Sequence, residues 1–143
     1  TMAIHRKQEL DEAYLQPAGY LADQAQPAAV VATATAVTLS VNQLFAAIIL
    51  QDPSGGAVTT TTPTAALIVA ALKNARPGAN FAVRIRNTAD AAETITVAGG
   101  TGVTISGTAT IAQNNSKEFL FVVTVATTGS EAVTAYSLGT VVH

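Results

Sequence analysis

Between Glu93 and Ala112 the chain reads Glu-Thr-Ile-Thr-Val-Ala-Gly-Gly-Thr-Gly-Val-Thr-Ile-Ser-Gly-Thr-Ala-Thr-Ile-Ala, apolar and hydroxyl side chains in alternation, with glycine wherever the chain could reverse. A strand repeats every two residues, so Ile95 and Val97, then Val103 and Ile105, then Ala109 and Ile111 each line one buried face. Turns are expected at Gly99-Gly100 and at Gly107. Such a pattern commits nearly every residue to architecture and leaves few for reactive chemistry. It points to a structural or binding protein.

The 143 residues suit one domain, large enough to close a hydrophobic core without disulfides or metals. Only 11% of them are charged, against about 25% in a typical soluble domain. A surface of threonine, serine and alanine can pack closely against other protein because few charges need desolvation, so self-association is expected. The net charge is −2, and Lys73, Arg76, Arg84, Arg86 and Lys117 are scattered without interleaved aromatics, which argues against a nucleic-acid partner. The absence of cysteine removes disulfides, thiolate nucleophiles and Cys-based metal sites together. The charged opening Thr-Met-Ala-Ile-His-Arg-Lys is followed by no apolar stretch of signal-peptide type, so no secretory leader is expected. The apolar runs Leu44 to Leu50 and Ala65 to Leu72 fall far short of the roughly 20 residues that a membrane-spanning helix needs, and no membrane association is expected.

Charge concentrates at the start: His5, Arg6, Lys7, Glu9, Asp11, Glu12 and Asp23 all precede Pro27. Residues 1–27 are therefore read as an N-terminal arm, with Ile4, Leu10, Tyr14, Leu15, Tyr20 and Leu21 as its candidate contact residues. A short helix from Arg6 to Leu15, stopped by Pro17, is compatible with this stretch. Residues 28–143 form the second unit, a β-domain. A strand is predicted from about Val30 to Val41, a turn at Asn42-Gln43, and a strand buried on both faces from Leu44 to Leu50. Asp52-Pro53-Ser54-Gly55-Gly56 is a loop, and Ala57 to Thr62 another strand. Thr62-Pro63-Thr64 opens the one predicted helix, Ala65 to Leu72, which carries no polar face and so should be covered on most sides. Phe81, Val83 and Ile85 alternate with Arg84 and Arg86, and Phe119, Phe121, Val123 and Val125 share one spacing, with both phenylalanines inward. Val133 to Leu138 and Val141-Val142 close the sheet. The fold class expected is mainly β, a β-sandwich or jelly-roll-like barrel with one short buried helix and an extended N-terminal arm.

Chemistry is sparse. The two histidines, His5 and His143, have no triad around them, and the body's carboxylates lie singly in loops or at strand ends. No catalytic residue is assigned, and a paired-carboxylate hydrolase is a distant alternative. No His-x-x-x-His, EF-hand or Cys cluster appears, so neither metal nor cofactor is expected. Gly99-Gly100-Thr101-Gly102 has the glycines of a phosphate-cradling loop, but Val103-Thr104-Ile105 continue it as strand where such loops feed a helix. Arg84 and Arg86 could grip a carboxylate or sugar acid; salt-bridging to Glu93 or Glu118, or a subunit contact, is the favoured reading. With no tryptophan, a sugar platform would have only Tyr14, Tyr20 and Tyr136.

From about Ala65 to Leu138 the order of segments resembles that of tailed-phage virion structural proteins. The strings are Pro-Thr-Ala-Ala-Leu-Ile-Val-Ala-Ala-Leu, Arg-Pro-Gly-Ala-Asn-Phe-Ala-Val-Arg-Ile-Arg-Asn-Thr, the 93–108 repeat, and Thr-Ala-Tyr-Ser-Leu-Gly. Within that group the likeness is greatest to small capsid decoration, or cement, proteins. The resemblance covers the last half of the chain, and it does not extend to the arm. It implies a β-sandwich-type module without cofactor or active site, a homotrimer on the outer surface of the phage head, with the major capsid protein as partner. The alternatives kept are a head-fibre, tail-fibre or baseplate module, and a carbohydrate-binding β-sandwich.

Overall fold

The computed structural model of the chain describes residues 28–32 and 35–143. The predicted arm, and with it Ile4, Leu10, Tyr14, Leu15, Tyr20 and Leu21, lies outside the described residues. The elements in order are β1 (Ala29–Ala32), β2 (Val37–Thr38), α1 (Val41–Leu44), β3 (Ile49–Asp52), β4 (Val58–Thr61), α2 (Ala65–Ala71), β5 (Asn80–Asn87), β6 (Ile95–Ala98), β7 (Val103–Ser106), β8 (Thr110–Ile111), β9 (Asn115–Val125) and β10 (Ala132–Val142). They build a mainly β, sandwich-like fold of two sheets, one ordered β1-β3-β5-β9-β10-β7 and the other β2-β4-β6-β8.

The winding is unusual for a sandwich. From β1 to β8 successive strands alternate between the two sheets, so each strand's neighbour within a sheet is an element further along the chain. The consequence is parallel pairing: β1 with β3, β3 with β5, β2 with β4 and β4 with β6 all run in the same direction. Only β9 and β10 are consecutive strands paired with each other, antiparallel, with register shifts at Ala132/Val133 and at Ser137/Thr140. The glycine turn at 99–102 thus carries the chain from β6 in one sheet to β7 in the other.

Alternation puts the expected residues inside. Ile49, Val83, Ile85, Phe119, Phe121, Val123, Val133 and Ala135 face Val58, Ile95, Val97 and Ile111 in one buried cluster, which Leu44 and Ile68 from the helices also join. Phe81 is half-buried, stacks on Phe121 at 5.1 Å between ring centroids, and touches Phe45 at 4.6 Å. Gln51, Thr60 and Asn87 are fully buried as well. The Thr60 hydroxyl donates to Gln51 Oε1 (2.8 Å), a polar link between β3 and β4 that crosses from sheet to sheet.

Three local predictions are corrected. The strand from Val30 to Val41 is two short strands in different sheets. The turn at Asn42-Gln43 and the strand from Leu44 are instead α1: Ser40 caps it, accepting from Gln43 N–H (3.2 Å), while Gln43 Oε1 accepts from Ser40 N–H (2.9 Å). This Ser-x-x-Gln capping box satisfies two otherwise orphaned backbone donors, and the strand begins only at Ile49. The predicted helix at 65–72 is present as α2, with Thr64 accepting from Leu67 N–H. It buries only Ala65 and Ile68, however, and Leu67 is 55% exposed. Its alanines present too little apolar area to require cover on most sides.

Candidate functional site

The outward face of the six-stranded sheet holds the candidate site. Pairing aligns Val30, Leu50, Arg86, Ser116 and Val141 in one row across β1, β3, β5, β9 and β10. Arg84 and Glu118 face each other in the next row. Around them lies an open groove of about 440 Å³, walled also by Ile48, Gly139 and His143.

The two arginines have separate roles. Arg84 Nη2 donates to Glu118 Oε2 at 2.6 Å, with side chains 58% and 33% exposed. At that exposure the pair contributes less than about 1 kcal/mol. Arg86, two residues on and partly buried, has no ion pair among the described residues, and its Nε is buried without a hydrogen-bond acceptor. A buried guanidinium N–H without a partner is costly, since the charged group has lost water and gained nothing. Beside it Ser116 Oγ and His143 Nε2 are 2.8 Å apart, and His143 N–H donates to Asn114 O (2.9 Å).

Period-2 reasoning therefore located Arg84 and Arg86 on one outward face, and the structure joins Arg84 to Glu118 as anticipated. The Ser116 and His143 pair was missed. It arises from the pairing of β9 with the end of β10, and no local spacing signals it. A hydroxyl and an imidazole alone do not make a nucleophile: the base needs a third group to orient it. Glu118, the carboxylate of the groove, is engaged by Arg84. The geometry offers cationic and hydroxyl donors to an anion. Among the described residues no three His, Asp or Glu side chains lie together as a metal site would require. The Gly99-Gly100 turn lies against the backbone of Thr62 and Pro63, where a Cβ on Gly100 would come within 2.5 Å of Thr62 O. Tyr136 is exposed on the outward face, across from Leu120.

Lys117 points the other way, into the structure. It is 4% exposed, and its Nζ donates to Thr108 O (2.8 Å), which also accepts from Ser137 Oγ (2.6 Å). Desolvation pulls its pKa below the usual 10.5. Between that lowered value and 10.5 the unfolded chain holds more protons than the folded one, so this group makes stability rise as pH climbs through the window. Lys117→Met should abolish that rise. At pH 7 it should leave stability within about 1 kcal/mol, because Thr108 O keeps its Ser137 donor. Urea titrations of both proteins from neutral pH to 10.5 check this; parallel pH profiles would refute it.

No family model matches the chain, and no curated protein or solved structure matches it.

Proposed function

We propose that the chain is a non-enzymatic structural protein of a tailed-phage virion, a capsid decoration protein that binds the outer head surface as a homotrimer and stabilises the shell. The observation that carries the adhesive part of this reading is the outward sheet face. Val30 (72% exposed), Tyr136, Leu138 and Val141 stand on it beside Thr104, Ser106 and Thr134. A shell is secured by many individually weak contacts repeated by symmetry, for which such a face suffices. The phage and capsid part rests on the sequence resemblance over residues 65–138, and the major capsid protein is the partner it implies.

Light scattering on the purified chain should give the mass of about three 14.5 kDa subunits. Fluorescently labelled protein added to virions lacking their decoration should coat the head. A monomer at high concentration removes the trimer. Label confined to the tail replaces the decoration reading with a fibre or baseplate one.

A further inference from the structure

The outer half of β10 lies on an open edge of its sheet. β7 pairs with residues 133–136 and then leaves through Gly107 for the other sheet, so among the described residues no strand lies alongside residues 138–142 on that side. Lys117 Nζ and Ser137 Oγ both donate to Thr108 O (2.8 and 2.6 Å), which pins the departing loop there. The direction of the backbone groups follows from one bond. His143 N–H donates to Asn114 O (2.9 Å), so in this antiparallel ladder His143 and Val141 turn their N–H and C=O toward β9, whereas Thr140 and Val142 turn theirs to the open side. Leu138, Val141 and Val142 are exposed, and residues 138–142 include no charge. Edges of monomeric sheets normally carry lysine, proline or a covering loop, because a bare edge is a template for another strand. At the same level of the sheet the opposite edge is β1, which shows one exposed large side chain, Val30.

We propose that residues 138–142 form a strand-addition edge whose occupant is the same segment of a second copy of this chain, antiparallel across a two-fold axis that passes by Val141. A strand paired with its own copy matches itself by symmetry. Each Thr140 exchanges both backbone bonds with Val142 of the other copy, and the two Val141 side chains meet as a non-hydrogen-bonded pair, Cβ atoms about 4.5–5.5 Å apart. No charge is set against its like, and a charged peptide would find no counter-charge along this edge. A strand pair this short buries well under the roughly 800 Å² per partner of a standard interface, so the contact is weak alone and forms where copies are crowded. It adds a two-fold contact to whatever assembly the rest of the surface makes, and it does not rest on the decoration reading.

The test uses the full-length chain carrying Val141→Cys, which has no other cysteine, in the presence of oxidised glutathione. Covalent dimer should form about tenfold faster or more than in Val30→Cys, an exposed valine on the same face at the opposite edge. Thr140→Pro removes an N–H on the open side and no bond to β9, so in the Val141→Cys background it should bring dimer formation down to the Val30→Cys rate. Equal rates for the two cysteine variants, or a rate that Thr140→Pro leaves unchanged, overturn the proposal. The unsubstituted chain gives a second readout that needs no variant to fold. Exchange of the Thr140 and Val142 amide protons with water should slow about twofold or more between micromolar and millimolar protein, while that of Val141, turned to β9, stays unchanged. Exchange independent of concentration removes the second copy, and protection already complete in dilute protein places a segment of the same chain on the edge instead.

Discussion

Phe121→Ala is expected to cost about 3–5 kcal/mol of folding stability, a large fraction of the roughly 5–15 kcal/mol that holds a domain of this kind together. The ring is 1% exposed and stacks on Phe81, which in turn touches Phe45. Truncation removes transfer energy and leaves a hole that β5 and β10, hydrogen-bonded to β9 on either side, are not free to collapse into. Urea unfolding should show a lower midpoint at unchanged slope. Phe45→Ala should cost clearly less, because Phe45 lies outside the fully buried set. Equal losses for the two variants would mean that the inner cluster is not where the stability resides.

Gly100→Ala should also destabilise the fold, by less and for a backbone reason. A Cβ there would stand 2.5 Å from Thr62 O and 2.8 Å from Pro63 O, and neither carbonyl can rotate aside as a side chain would. Gly100 N–H also donates to Thr62 Oγ1 (3.0 Å), and its carbonyl accepts from Val103 N–H (2.8 Å). Relieving the clash therefore means parting the β6–β7 crossing from the entry to α2, at about 1–3 kcal/mol. Gly139→Ala, with nothing within 4 Å of the added carbon, should stay within about 0.5 kcal/mol. The pair measured side by side in urea decides the matter: similar midpoints would show that the crossing yields easily.

Side-chain orientation was largely legible in the sequence, because alternation of size and polarity is a direct image of the pleat. Ile95 and Val97, Val83 and Ile85, and Phe119 and Phe121 all point inward as their spacing demands. Sheet membership was not legible. Both sheets bury one face, so an alternating strand fits either, and a glycine turn that lets the chain reverse serves equally to carry it across the core. The run Leu44 to Leu50 misled because apolarity says nothing about period; the helix is decided by the Ser40 and Gln43 capping box just ahead of the run. Gln51 and Asn87 were invisible as core residues because their burial depends on partners: Asn87 Nδ2 donates to Glu93 O (2.8 Å) and Ile111 O (3.0 Å). In the site, the arginines followed from the period of one strand. Their union with Ser116, Glu118 and His143 required the pairing of β5, β9 and β10, which no local spacing encodes.

The sheet-alternating winding has a consequence for how the molecule is made. A hairpin can zip as soon as its two arms exist, but here β3 cannot complete its pairing until β5 has arrived, and β5 in turn requires β9. The first pair formed by consecutive strands is the last in the chain, β9 with β10. Loop-closure entropy must be met before most ladders return any enthalpy, so refolding should be slow, on the order of milliseconds to seconds. A nascent chain emerging from the ribosome would hold each amino-terminal strand unpartnered until the strand two places further on had emerged, and the six-stranded sheet would stay open at β5 and β7 until the carboxyl-terminal hairpin joined them.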